Sequence, residues 1–196
     1  MNTEANKHHR RSVRLPGFDY FVPGGYYITI VTQGRMHLFG EVDGGEMGLS
    51  QAGKIAEACW HAIPEHFPQA ELGAFVVMPN HVHGIIVLHE RADTDASENG
   101  LAAKSPPTVG ARHGVPLPAN NIEKFSKSVS GSLATIIRQY KSSVTREVVQ
   151  QFGGAPSVWQ RNFYEHVIRD EQDHQRVHDY ILNNPFNWET DDENVR

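Results

Sequence analysis

The stretch Phe75-Val76-Val77-Met78-Pro79-Asn80-His81-Val82-His83-Gly84-Ile85-Ile86-Val87-Leu88 constrains this chain most. Two runs rich in valine and isoleucine flank Met-Pro-Asn, placing β propensity on either side of turn chemistry. That pattern is a strand, a tight bend and a second strand. Side chains on a strand alternate with period two, so His81 and His83 rise from one face and Val82 from the other. Their backbones then lie about 6–7 Å apart, and two imidazoles at that spacing can converge on one divalent ion. His-x-His also arises by chance in a chain with twelve histidines, and a strand with one wet face carries polar residues without function. The apolar setting favours the metal reading. The pair still requires a further ligand from elsewhere in the chain.

Around this centre the periodicities alternate. Tyr26 to Thr32, after Pro23-Gly24-Gly25, is a first strand. Gly34 to Gly48 follows as a loop or short hairpin around Leu38–Val42. Ser50 is placed to cap a helix whose stripe is Ile55, Cys59, Ala62 and Ile63, which makes Cys59 a packing residue. A second helix near 131–151 aligns Leu133, Ile136, Ile137, Tyr140, Val144 and Val148, so Tyr140 belongs to the core. The segment 158–169 supplies an approach loop and a last strand. Asp170 opens a final helix that Pro185 stops. The order is that of an α+β, ferredoxin-like βαββαβ core with an antiparallel sheet and one additional C-terminal helix.

At 196 residues the chain is most simply one domain. An apolar content of 39 % is low, and the deficit is local. Residues 1–15 are nearly free of apolar side chains, and a basic arm is drawn over 1–20. Residues 90–121 lose all periodicity and form a mobile insertion, and 189–196 are an acidic tail. The net charge of −5 therefore does not exclude nucleic acid, because the basic residues gather between Lys7 and Arg14 and between Lys124 and Arg146. Arg10, Arg11, Arg14, Arg138 and Lys141 are the candidate phosphate contacts. The lone cysteine excludes an internal disulfide, and no apolar run approaches the ~20 residues of a membrane span. A soluble cytoplasmic protein is expected.

On the last helix Tyr180 and Asn184 are four residues apart and share a face. If that face covers the central strands, Asn184 completes a site with His81 and His83. Tyr180 then stands one turn away as a potential nucleophile. Spacing alone favours a tyrosine that packs and an asparagine that caps.

The segment 76–84 together with Tyr180-Ile181-Leu182-Asn183-Asn184-Pro185 resembles the single-tyrosine HUH transposases. The likeness is greatest to the REP-associated tyrosine transposases. Arg10-Arg11-Ser12-Val13-Arg14, Gly25–Thr29, Leu38-Phe39-Gly40 and Trp159–His166 are similar to that branch too, so the likeness spans most of 10–188 apart from the insertion. The resemblance implies a ferredoxin-like core acting on single-stranded DNA, often beside an imperfect (REP-like) hairpin, as a monomer or homodimer at the nucleoid. It implies His81 and His83 as ligands of Mg²⁺ or Mn²⁺, Asn184 as the residue completing the metal site, and Tyr180 as the nucleophile. The product is a 5′-phosphotyrosine. Related transposases carry glutamine where this chain has Asn184, and the insertion departs from the pattern. Two alternatives stay open: a domesticated, non-catalytic binder of hairpin nucleic acid, and a nuclease that hydrolyses through water.

Overall fold

A computed structural model describes residues 23–90, 131–153, 157–191 and 193–194. The basic arm with Arg10, Arg11 and Arg14, and residues 91–121 of the insertion, lie outside the described residues. Among the described residues, six strands and four α-helices follow one another as β1 (Gly24–Val31), β2 (Gly40–Asp43), β3 (Glu46–Leu49), α1 (Gln51–His61), α2 (Ile63–His66), β4 (Ala70–Met78), β5 (His81–Leu88), α3 (Leu133–Phe152), β6 (Tyr164–Ile168) and α4 (Glu171–Asn183). β4, β5, β1 and β6 form one sheet in that spatial order, with every pair antiparallel. This is the ferredoxin-like arrangement expected from the periodicities. The stretch between β1 and α1 resolves as the hairpin β2–β3, paired Gly40↔Leu49 to Asp43↔Glu46.

The two faces of the sheet serve different ends. Tyr26, Ile28 and Ile30 of β1 and Val82, Ile86 and Leu88 of β5 are buried in one core with Ala56 and Trp60 of α1 and the whole apolar stripe of α3. Tyr140 is in that core, its hydroxyl donating to the Ala56 carbonyl at 3.2 Å. Cys59 lies at the margin of the α1 stripe, half-buried, while Ala56 and Trp60 take the central positions. Burial pushes its thiol pKa up to about 11, which suits packing and not chemistry. On the opposite face Ile85 of β5 meets Val177 and Ile181 of α4.

Capping residues set the helix starts. Ser50 accepts from the Gly53 N–H at 3.1 Å and Asp170 from the Asp173 N–H at 2.8 Å. Asp173 also ties α4 to β6: its carboxylate accepts from His166 at 2.8 Å and from Arg176. The Arg176 hydrogen bond, then that of His166, holds the Asp173 carboxyl well below the usual carboxylate range. At the far end of β5, the His89 N–H donates to the Gln69 carbonyl at 2.9 Å. The Gln69 side chain donates to the Gly131 carbonyl at 3.2 Å.

Candidate active site

β5 begins at the site. Met78 pairs with His81 across the Pro79-Asn80 turn, so the first residue after the bend is already in the ladder. His81 and His83 project toward the α4 side, their ring centroids 4.3 Å apart, and both are fully buried. Burial lowers the His81 pKa to about 4, against the pull of the nearby Asp191 carboxylate and Asn184 side chain. Burial, then the neighbouring His81, lowers His83 well below the ordinary histidine value. Both rings are therefore neutral near pH 7, as a metal ligand must be.

The residues behind the rings select the tautomer. The His81 Nδ1 donates to the Asn80 side-chain carbonyl at 2.8 Å, which leaves its Nε2 bare. Asn80 is held in turn, its amide donating to the Glu193 backbone carbonyl at 2.8 Å. The His83 Nδ1 lies 2.8 Å from the Tyr27 hydroxyl and 2.9 Å from that of Thr29. With Nδ1 as the donor there, its Nε2 also faces the site unprotonated. Nε2 of His81, Nε2 of His83 and Oδ1 of Asn184 are all buried without a hydrogen-bond partner. Three orphaned acceptors in one place are costly unless something fills the space between them.

α4 brings the other two expected residues. Asn184 is the C-cap residue of the helix and is buried; its amide donates to Asp191 Oδ2 at 2.7 Å. The Tyr180 hydroxyl donates to the same oxygen at 3.0 Å, and its ring centroid is 5.3 Å from that of His83. His81, His83, Asn184 and Tyr180 are thus brought together. Asp191 joins them. A nitrogen of each histidine and an oxygen of Asp191 all lie within 4.8 Å of one another, a spacing that could hold a metal ion. Sequence reasoning placed Asp191 in an acidic tail. The only signal for it was its position seven residues after Asn184, just past Pro185, where a returning turn can bring a carboxylate back to the helix face.

Two tyrosines reach the site, and their environments separate them. Tyr27 is engaged with His83 and Thr29, and burial pushes its pKa far above the ordinary phenol value. Tyr180 is 44 % exposed, so a strand can approach it from solvent.

The acidic side of the pH profile should report the buried imidazoles. Their folded pKa values lie below the unfolded value, so the unfolded chain binds more protons as pH falls past about 6.5 and stability drops. Chemical denaturation is expected to show a loss of roughly 3–4 kcal/mol between pH 7 and pH 5, about half from each ring. A His81→Gln, His83→Gln double variant should flatten that slope; an equally steep loss in the variant would assign it elsewhere.

The expected phosphate contacts on α3 do not join this centre. Arg138 is exposed on the helix layer across the sheet, lining an open cleft of about 460 Å³ with His66, Gln139, Ser142 and Arg146. The Lys141 ammonium instead donates to the Gln160 carbonyl at 2.6 Å and the Asn162 carbonyl at 2.9 Å. Burial lowers its pKa to about 8. Lys141 therefore anchors the loop before β6. Lys141→Met should lower the melting temperature by several degrees, whereas Arg138→Gln, at an exposed position, should leave it nearly unchanged; thermal denaturation separates the two.

No family model matches the chain. An uncharacterised protein of Haemophilus influenzae is 37% identical over 196 residues, covering 97% of each chain. A second protein of the same organism, named as a candidate REP-associated tyrosine transposase, is 26% identical over 166 residues, 84% of this chain and 72% of that one. A solved structure of a REP-associated tyrosine transposase bound to a REP hairpin covers 87% of this chain and 72% of its own, at a TM-score of 0.52 and 21% identity, and shows the same fold. Taken with the sheet order and the motifs along the sequence, these relatives place the chain in the family of REP-associated tyrosine transposase-like proteins.

Proposed function

We propose that this chain cleaves and rejoins single-stranded DNA at hairpin-associated sites through a 5′-phosphotyrosine on Tyr180. The observation that carries the reading is the exposed Tyr180 hydroxyl at the rim of a buried cluster of unpartnered His81, His83 and Asn184 donor atoms. In this reading the Tyr180 oxygen attacks a backbone phosphorus, and the bond from phosphorus to the 3′ oxygen breaks. The phenol proton passes to Asp191 Oδ2, which already accepts it as a hydrogen bond. The departing 3′ oxygen leaves as a hydroxyl once protonated, and reversal of the same steps rejoins the strand without a water.

Two imidazole nitrogens, an amide oxygen and a carboxylate oxygen form a donor set that fits a divalent ion such as Mg²⁺ or Mn²⁺. His81, His83 and Asn184 would hold it, with Asp191 beside them. Such an ion supplies stabilisation of charge developing on the phosphate. Asn80, Tyr27 and Thr29 orient the two rings for this task. Arg138 serves as a contact to a more distant stretch of phosphate backbone, in keeping with its place across the sheet, and the arm residues Arg10, Arg11 and Arg14 extend the same role.

The test incubates the protein with Mn²⁺ or Mg²⁺ and labelled single-stranded hairpin DNAs, followed by a denaturing gel. A protease-sensitive shifted band carrying the fragment downstream of the break, joined to the protein through its 5′ phosphate, is the expected result. Cleavage without such a band would mean hydrolysis, and binding with neither would mean a non-catalytic binder.

A further inference from the structure

The segment after α4 carries an aromatic side chain that packing does not account for. Phe186 is 80 % exposed. A single exposed apolar residue is ordinary, but this one forms the wall of an open pocket of about 480 Å³, a size that suits a small planar ligand. Val42 and Gly45 of the β2–β3 hairpin, Asn187, Trp188 and Glu189 complete the wall. The hairpin comes close to the ring only because residue 45 is glycine. Its φ is +83°, and a Cβ there would lie 3.2 Å from Phe186 Cδ2.

The pocket adjoins the site already described. The indole of Trp188, buried under it, has its centroid 5.9 Å from the ring of His81 and 5.6 Å from that of His37. Among the described residues neither lysine nor arginine lines the pocket, and Glu189 does, so an uncharged, hydrogen-bonding ring is favoured over phosphate. Asn187 and Glu189 are both exposed at its mouth.

We propose that this pocket takes one nucleobase of the strand whose phosphate sits at Tyr180. This rests on the strand-cleaving reading above. The base stacks on Phe186, an interaction open to any base because each has a π face. Selection comes from the edge. The Glu189 carboxylate accepts from an exocyclic amino group and so favours cytosine, adenine or guanine over thymine, while Asn187 offers a donor and an acceptor.

The test uses the full chain and a library of DNA hairpins with randomised single-stranded flanks. Bound molecules are recovered without divalent metal and sequenced, and covalent adducts formed in Mn²⁺ are scored in parallel. The parent protein is expected to enrich amino-bearing bases at one flank position. Phe186→Ala should reduce that enrichment roughly tenfold while leaving other positions unchanged, and Phe186→Tyr should restore it. Glu189→Gln should change which base is favoured. A flat profile in the parent, an unchanged profile in Phe186→Ala, or a uniform loss across all positions would overturn the assignment. So would loss of self-association in Phe186→Ala with the base profile intact, which would make the patch a contact between copies. An adduct with no base preference defeats the pocket and spares the tyrosine; a base preference with no adduct does the opposite.

Discussion

Tyr180→Phe is expected to remove the covalent adduct and the cleavage together, by at least about a thousandfold, while hairpin binding stays within about twofold. The substitution keeps the ring. Its centroid lies 6.2 Å from Tyr27 and 5.3 Å from His83, both in edge-on arrangements that a phenylalanine reproduces. What disappears is one partly exposed hydroxyl and its hydrogen bond to Asp191, a change in stability of about 1 kcal/mol or less. Tyr27 cannot take over, because its hydroxyl is tied to His83 and Thr29 and its pKa is driven upward by burial. Binding, adduct formation and melting temperature measured on the same preparations would decide the matter. Persistent cleavage in Tyr180→Phe would defeat the tyrosine mechanism and leave water as the nucleophile.

Gly84→Ala should have the largest effect on the fold of any one-methyl change near the site. Gly84 pairs with Ile28 on one side and Phe75 on the other, in the middle of the sheet. A Cβ at this position would come within 2.3 Å of Trp60 Cζ2. Trp60 has nowhere to go. Its indole is wholly buried, stacked on Phe75 at 4.6 Å and set edge-on to Tyr140 at 5.3 Å. The expected cost is about 3 kcal/mol, or a fall of about 10 °C in melting temperature for a chain of this length. Because His83 is the preceding residue, the displacement of β5 should weaken divalent metal binding as well. Trp60→Leu combined with Gly84→Ala should recover part of the loss, giving a favourable coupling between the two sites. A melting temperature within about 2 °C of the parent would show that the indole yields, against this account.

Most of the frame could be read from the chain because period-two and 3–4 patterns report which faces are covered, and here they are covered by neighbours in the same fold. The stripe from Leu133 to Val148 is buried as its spacing requires. Asp170 caps and Pro185 follows the last helix as their chemistry demands. The histidine pair was legible for the same reason, since alternation fixes a shared face. Asp191 was not, because a carboxylate in an acidic run has no periodic signature and its place depends on a turn that only tertiary contacts define. Asn80 was read as a turn residue and also orients His81, a role visible only once the Glu193 carbonyl is seen to hold its amide. The two carbonyls that hold Lys141 were not legible either, because a long stem can carry an ammonium to a loop that helix periodicity does not report.

Gln69 touches the chain on both sides of the β5–α3 connection, through its own carbonyl at His89 and its side-chain amide at Gly131. The connection therefore behaves as a splice joint. It opens at the end of β5 remote from His81, roughly 23 Å along the strand by the rise per residue. Exchanging residues 91–130 for a short glycine–serine bridge would keep both anchors, at a loop-closure cost that varies only slowly with length. A reporter fused at that joint should leave the histidine-bearing end of the sheet untouched, because the two anchors stay where they are.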